Sequence, residues 1–231
     1  MQVDKTALQM IAELADAPGA PGFEDEVVAV ARRWCAPIGE LKEDFLRNLY
    51  IHRKENTGDR PVVMLDAHSD EVGLVIHSIK PNGTLRFLML GSWNKNALVG
   101  TKVLVRNADG EYLPGIIAAK PVHFMSPAEK EKAMNDISGM VIDVGAVSYE
   151  DAVENFHVRM GEPVIPDTKF YYDEKRDLMF GRGFDCRIGC AALIEALRRL
   201  EGRELPCDVI AVLSTKEEMD QFYSDILAPK N

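Results

Sequence analysis

Residues 61–73 read PVVMLDAHSDEVG, and the fold follows from how this stretch changes character. Residues 62–66 form a short, mostly apolar run, the pattern of a buried strand. The chain then turns polar at once, through His68, Asp70 and Glu71, all side chains of ligand type. Open α/β sheets present their sites where strands end, at the carboxyl edge. His68 and Asp70 are two residues apart. On extended chain they point the same way, and the carboxylate can orient the imidazole as it does behind a metal-bound histidine. Polar residues at strand ends also make turns, so H-x-D alone leaves a hydrogen-bonded turn histidine open.

Outward from this strand the chain changes texture twice. Residues 4–16 carry apolar side chains at Leu8, Ile11, Ala12 and Ala15, a helical stripe. Pro and Gly force a loop in APGAPGFEDE, and residues 24–34 predict a second helix with Val27, Val28, Ala31, Trp34 and Cys35 on one face. Two alternating segments, 40–45 and 49–53, lead to the central strand. Past Gly73, short alternating stretches at 74–79, 85–90, 102–106, 112–118 and 140–144 are separated by Pro81-Asn82-Gly83, Asn107-Ala108-Asp109-Gly110 and Pro114-Gly115. Such spacing reads as a small β-barrel, with PAEKEKAM at 127–134 as a turn or two of exposed helix. Beyond Pro166 a helix is expected within 183–202, then a buried strand at 208–214 that ends in Thr215-Lys216-Glu217-Glu218. The expectation is an α/β domain, residues 1–70 and 166–231, interrupted by a β-barrel domain at 71–165.

The chain has 231 residues, 46% of them hydrophobic and 28% charged, enough for a large core. Its net charge of −10 and lack of a basic cluster argue against nucleic acid and anionic membranes as partners. The opening MQVDKTALQM has no apolar signal core, and no apolar run approaches the roughly 20 residues that span a bilayer. A cytoplasmic protein is expected. The four cysteines show no C-x-x-C spacing. Cys186 and Cys190, one helical turn apart, read either as a soft-metal pair or as reduced core thiols.

Acidic or imidazole groups thus follow apolar segments in three places: His68 with Asp70, Asp185, and Glu217 with Glu218. In a parallel sheet these ends share an edge, so the groups can meet. One imidazole among carboxylates suits Zn²⁺, Co²⁺ or Mn²⁺. If Glu217 and Glu218 lie on extended chain they face opposite ways, one toward a metal and one toward the proton of a water. The plainer alternatives are a helix N-cap for Asp185 and a solvated turn for the glutamates. GRGFDCRIG has a G-x-G, but Cys186 stands where a dinucleotide loop needs its third glycine, and Asp185 would face the phosphates. Ser69 lacks the G-x-S-x-G setting of a hydrolase serine.

The segments PGAPGFEDEV, LDAHSDEVG, GSWNKNALVGTKVLV, LPGIIAAKPVHFMSPAEKEK, IDVGAVS, GFDCRIGC and LSTKEE, in this order, resemble the dinuclear-metal aminopeptidases. That family includes glutamyl and tetrahedral aminopeptidases, and some members carry an endoglucanase label. The resemblance implies that His68 binds metal with Asp70 supporting it in the catalytic set. It implies that Asp185 bridges two divalent ions, Zn or Co, that Glu218 is a ligand and that Glu217 is the general base. It further implies a peptide substrate cut at its first bond by a metal-activated water, and a β domain that builds homo-oligomers, dimers or larger shells. Two departures stand out. Cys186 occupies a position where an acid or amide is usual. After Glu218 the family continues with a Val-Gly segment and more α/β chain, bearing a further carboxylate and histidine, whereas here MDQFYSDILAPKN follows. An impaired site is therefore expected. The other readings are an inactive assembly protein and, last, a glycan hydrolase, which needs two carboxylates about 5–10 Å apart astride a sugar bond.

Overall fold

In the computed structural model of the chain, the described residues are 4–127, 129 and 137–219; most of the 127–134 helix expectation lies outside them. The chain divides into two compact units, Met1–Glu71 with Thr168–Asn231, and Val72–Asp167. The class is the expected one, α/β with a β-barrel.

In the first unit, strands β1 (Gly39–Glu43), β2 (Leu49–Arg53), β3 (Val62–His68) and β12 (Asp208–Ser214) form one sheet in the order β1-β2-β12-β3. β12 runs parallel to β3 and antiparallel to β2, so the sheet is mixed. Helices α1 (Lys5–Asp16), α2 (Asp25–Cys35) and α4 (Phe184–Leu200) are amphipathic and bury Leu14, Val27, Ala31, Ile194 and Leu197 with Leu49, Ile51, Ala211 and Leu213 of the sheet. α1 starts where Asp4 accepts the Thr6 N–H at 2.9 Å, an N-cap that satisfies one of the free donors of a first turn. The strand read as buried is so only at its end. Val62, Val63 and Met64 are 60%, 44% and 37% exposed, and Ala67 and His68 are buried. Among the described strands β3 pairs with β12 alone, which leaves its first half covered along one edge.

The second unit is a closed barrel of β4 (Gly73–Ile79), β5 (Leu85–Leu90), β6 (Lys102–Arg106), β7 (Tyr112–Ala119), β8 (Met140–Asp143) and β9 (Pro163–Pro166), ordered β4-β5-β8-β7-β6-β9. Alternation sends Leu74, Ile76, Leu85, Phe87, Val103, Val105, Ile117, Ile142 and Val164 inward. β9 closes the ring between β4 and β6, yet the alternating pattern does not reveal it. It is short and has a proline at each end, which reads as loop. A short helix, α3 (Tyr149–Glu154), is capped by Ser148 and also falls outside the sequence expectation. The turn at Pro81-Asn82-Gly83 requires its glycine: φ is +82°, and a Cβ there would lie 2.5 Å from the Ala146 carbonyl oxygen.

The barrel assignment predicts that Ile142→Ala, at a wholly buried position, costs about 2–5 kcal/mol in urea unfolding of the full chain. Leu88→Ala, on the exposed side of β5, should stay within about 0.5 kcal/mol. Equal losses at the two positions would show that the inward set is misassigned.

Candidate metal centre

The parallel register of β3 and β12 sets Ser214 beside His68, so the chain leaves both strands at one place. Ser69 extends the match: its N–H and its hydroxyl both donate to the Ser214 carbonyl, at 2.8 and 2.9 Å. Asp70, fully buried, then reaches across to the other loop. Its Oδ1 accepts the Glu217 N–H and its Oδ2 the Glu218 N–H, each at 3.1 Å. One carboxylate that collects two successive N–H groups coils the segment, and Glu217–Met219 is a 3₁₀ turn. This corrects the expectation of extended chain with glutamates facing opposite ways. Both carboxylates instead reach the same imidazole, with ligand atoms of His68, Glu217 and Glu218 all within 4.8 Å of one another.

His68 is the centre of the cluster. Its Nδ1 lies 3.4 Å from Asp70 Oδ1, a charge contact that leaves this buried nitrogen without a hydrogen bond. Its Nε2 lies 3.2 Å from Asp185 Oδ1 and 3.6 Å from Glu217 Oε2. Asp185 arrives by a different route from the one expected. The preceding strand β11 (Leu178–Phe180) pairs with β10 (Tyr171–Asp173) in a separate hairpin, so Asp185 is not at an end of the main sheet. Within the start of α4, Asp185 and Cys186 leave helical dihedrals. The Asp185 carboxylate goes to His68 rather than serving as an N-cap. The Cys186–Cys190 pair does not form a site. Cys190 is wholly buried and its thiol donates to the His68 carbonyl at 3.1 Å, a core thiol.

Glu71, read with His68 and Asp70 as a possible ligand, turns away from them. It accepts from Arg182 Nε at 3.1 Å and Arg187 Nη2 at 3.3 Å, all three side chains being buried. Arg187 also donates to the carbonyls of Leu14 (3.0 Å), Ala15 (3.2 Å) and Ala17 (2.6 Å), and to that of Ser69 (3.0 Å). Gly19 makes room for it, since a Cβ there would sit 2.6 Å from Nη2. Burial pulls the Arg187 pKa down and pushes that of Glu71 up, each opposed by the other's charge. Glu24 is the other residue that sequence reasoning missed. It is 2% exposed, and its Oε1 accepts from the N–H of Gly22 at 2.8 Å and of Lys216 at 3.1 Å. Lys216 holds a left-handed φ of 61°, while Asn48 accepts the Thr215 N–H at 2.9 Å. The signal in both cases was weak: a lone arginine in a helix and a glutamate in a Pro-Gly loop usually face solvent.

The electrostatics follow from four carboxylates around one imidazole. Burial alone would lower the His68 pKa; Asp70, Glu217 and Asp185 outweigh it and raise it to about 9. Burial raises Glu218 to about 6, with Asp70, Glu217 and Asp185 adding to the rise and His68 opposing it. The cluster therefore calls for positive charge. Nitrogen and oxygen donors at this spacing, with a carboxylate behind the imidazole, fit a divalent cation.

The M42 glutamyl aminopeptidase family profile matches residues 48–229. The chain belongs to this family. A lysyl aminopeptidase of Pyrococcus furiosus is 30% identical over 91% of this chain and 59% of its own length. The solved TET aminopeptidase of a marine sediment archaeon of the Thaumarchaeota is 36% identical with a TM-score of 0.86, over 93% of this chain and 60% of that one. The Pyrococcus horikoshii TET1 peptidase, described as assembling into a tetrahedron or a large octahedral shell, is 30% identical with a TM-score of 0.79, over 92% of this chain and 62% of that one. The chain thus spans 59–62% of these M42 relatives.

Glu24 gives a pH-dependent prediction. Burial raises its carboxyl from 4.5 to about 7, so its contribution to stability is full below about pH 4.5 and lost as pH rises through about 7. Glu24→Gln keeps an acceptor for the Lys216 N–H and never ionises. It should match wild type near pH 4.5 and exceed it above pH 7 by about 1–3 kcal/mol in urea unfolding. A difference that does not change with pH would overturn this.

Proposed function

We propose that this chain carries the catalytic face of a metal-dependent aminopeptidase, which removes N-terminal residues from peptides. The observation that supports it is the meeting of His68, Asp185, Glu217 and Glu218, held from behind by Asp70, in a chain of the M42 family. His68, Asp185 and Glu218 would hold a divalent ion, Zn or Co, and Asp185, with its exposed carboxylate, can bridge to a second. Such an ion supplies Lewis acidity, which polarises a peptide carbonyl and makes water a better nucleophile near neutral pH. Glu217, partly exposed beside His68, would take a proton from the attacking water and return it to the leaving amine. Asp70 is buried and acts through others: it orients His68 and fixes the Glu217–Met219 turn.

The barrel unit would serve homo-oligomer assembly, a reading supported by the shells described for the Pyrococcus horikoshii TET1 peptidase. Among the described residues no helix is long and apolar enough to cross a membrane. The acidic net charge of −10 fits partners other than nucleic acid or membrane. Four free cysteines fit a reducing, cytoplasmic setting. A glycan hydrolase is not favoured, because Glu217 and Glu218 share one turn and reach one imidazole instead of standing astride a bond.

The test is hydrolysis of an aminoacyl-anilide panel by the full chain, with and without added Zn²⁺ or Co²⁺, beside Glu217→Gln. Metal-dependent turnover that drops by about 100-fold or more in the variant is expected for a lost general base. Equal turnover in both proteins would remove Glu217 from that role. A folded chain that turns over nothing with either metal would favour an assembly role over catalysis.

A further inference from the structure

The thiol beside Asp185 stands in the same cluster and is used by nothing described so far. Cys186 Sγ, a His68 ring nitrogen and an Asp185 carboxylate oxygen all lie within 4.8 Å of one another. A tetrahedral zinc site with Zn–S of about 2.3 Å and Zn–N of about 2.0 Å sets sulfur and nitrogen about 3.5 Å apart. His68 Nε2 and Asp185 Oδ1 are already 3.2 Å apart, near the spacing of two light ligands on one ion.

The local backbone explains why adjacent side chains converge. In a regular helix Asp185 and Cys186 would point about 100° apart. Here both leave helical geometry, Asp185 at φ −85°, ψ 109° and Cys186 at φ −115°, ψ 34°, and both bring a ligand atom to His68. The sulfur is also cradled. Backbone N–H groups of Gly189 and His68 point to it, and Gly189 leaves it space, since a Cβ there would fall 2.5 Å from Sγ. Without a cation, burial and the Asp185 carboxylate raise the thiol's pKa and these N–H groups only oppose the rise, so the case for a ligand rests on the meeting of the three donor atoms.

We propose that Cys186 is a thiolate ligand of this centre, making it a mixed nitrogen, oxygen and sulfur site that prefers thiophilic ions such as Zn²⁺, Co²⁺ and Cd²⁺ to Mg²⁺ or Mn²⁺. The proposal rests on the reading of the His68 cluster as a metal centre. On binding, the S–H bond breaks and a sulfur–metal bond forms; the proton leaves to solvent, and nothing is oxidised or reduced.

The experiment is a Co²⁺ titration of the full, reduced chain followed by absorption spectroscopy, with Cys186→Ser and, as a control, Cys207→Ser. The expected result is visible cobalt bands together with a near-ultraviolet thiolate-to-cobalt charge-transfer band. Cys186→Ser should lose that second band and keep the visible ones, and should bind Cd²⁺ more weakly with Mn²⁺ affinity unchanged. Cys207→Ser should match wild type. Visible bands without charge transfer in the wild type would overturn the thiolate ligand and leave the metal centre standing. A charge-transfer band that survives in Cys186→Ser would also overturn it. No cobalt spectrum at all would overturn it together with the metal reading.

Discussion

A guanidinium with no access to water has to find a partner for each of its N–H groups inside the protein. Arg187 finds one for each of its three nitrogens: Nη1 on the carbonyls of Leu14, Ala15 and Ala17, Nε on that of Ser69, and Nη2 on the Glu71 carboxylate. Those first three carbonyls lie at the end of α1, where a helix has acceptors without partners of its own. One side chain thus solves two desolvation problems and locks the end of α1, the start of α4 and the segment after β3 to each other. Asp70 lies between Ser69 and Glu71, both held by Arg187, and so has little freedom.

What Asp70 receives it passes on. Its two oxygens fix the backbone of Glu217 and Glu218, while Glu24 and Asn48 hold Lys216 and Thr215 just before them. These contacts all go to main-chain N–H groups, so the loop's shape does not depend on which side chains face the cluster. The carboxylates that do face it repel one another, which adds to the burial that raises Glu218, and their combined negative charge is what raises His68. Scaffold hydrogen bonds keep mutually unfavourable charges close, the preorganisation by which a site is ready for a cation.

Much of this architecture could be read from residue patterns. Period-two alternation and turn residues locate β4 to β8, and helical stripes locate α1 and α2, because burial of one face leaves its period in the sequence. β9 escapes, since its barrel-closing role rests on pairing with β4 and β6 and not on its own composition. The site divides in the same way. His68, Asp70, Asp185, Glu217 and Glu218 are visible as polar residues after apolar runs, but their common turn and meeting point are not. Arg187 and Glu24 were invisible because what makes them matter, complete burial among backbone groups from distant segments, has no local signature.

The barrel is closed, so each of its strands has a neighbour on both sides. The four-stranded sheet is open, ending in β1 on one side and β3 on the other among the described strands, and the exposed residues of β3 are Val62, Val63 and Met64. Unpaired backbone beside apolar, β-branched side chains is a template on which another strand can add. Growth by strand addition, orderly or as aggregate, is therefore a liability at the β3 edge of the open sheet.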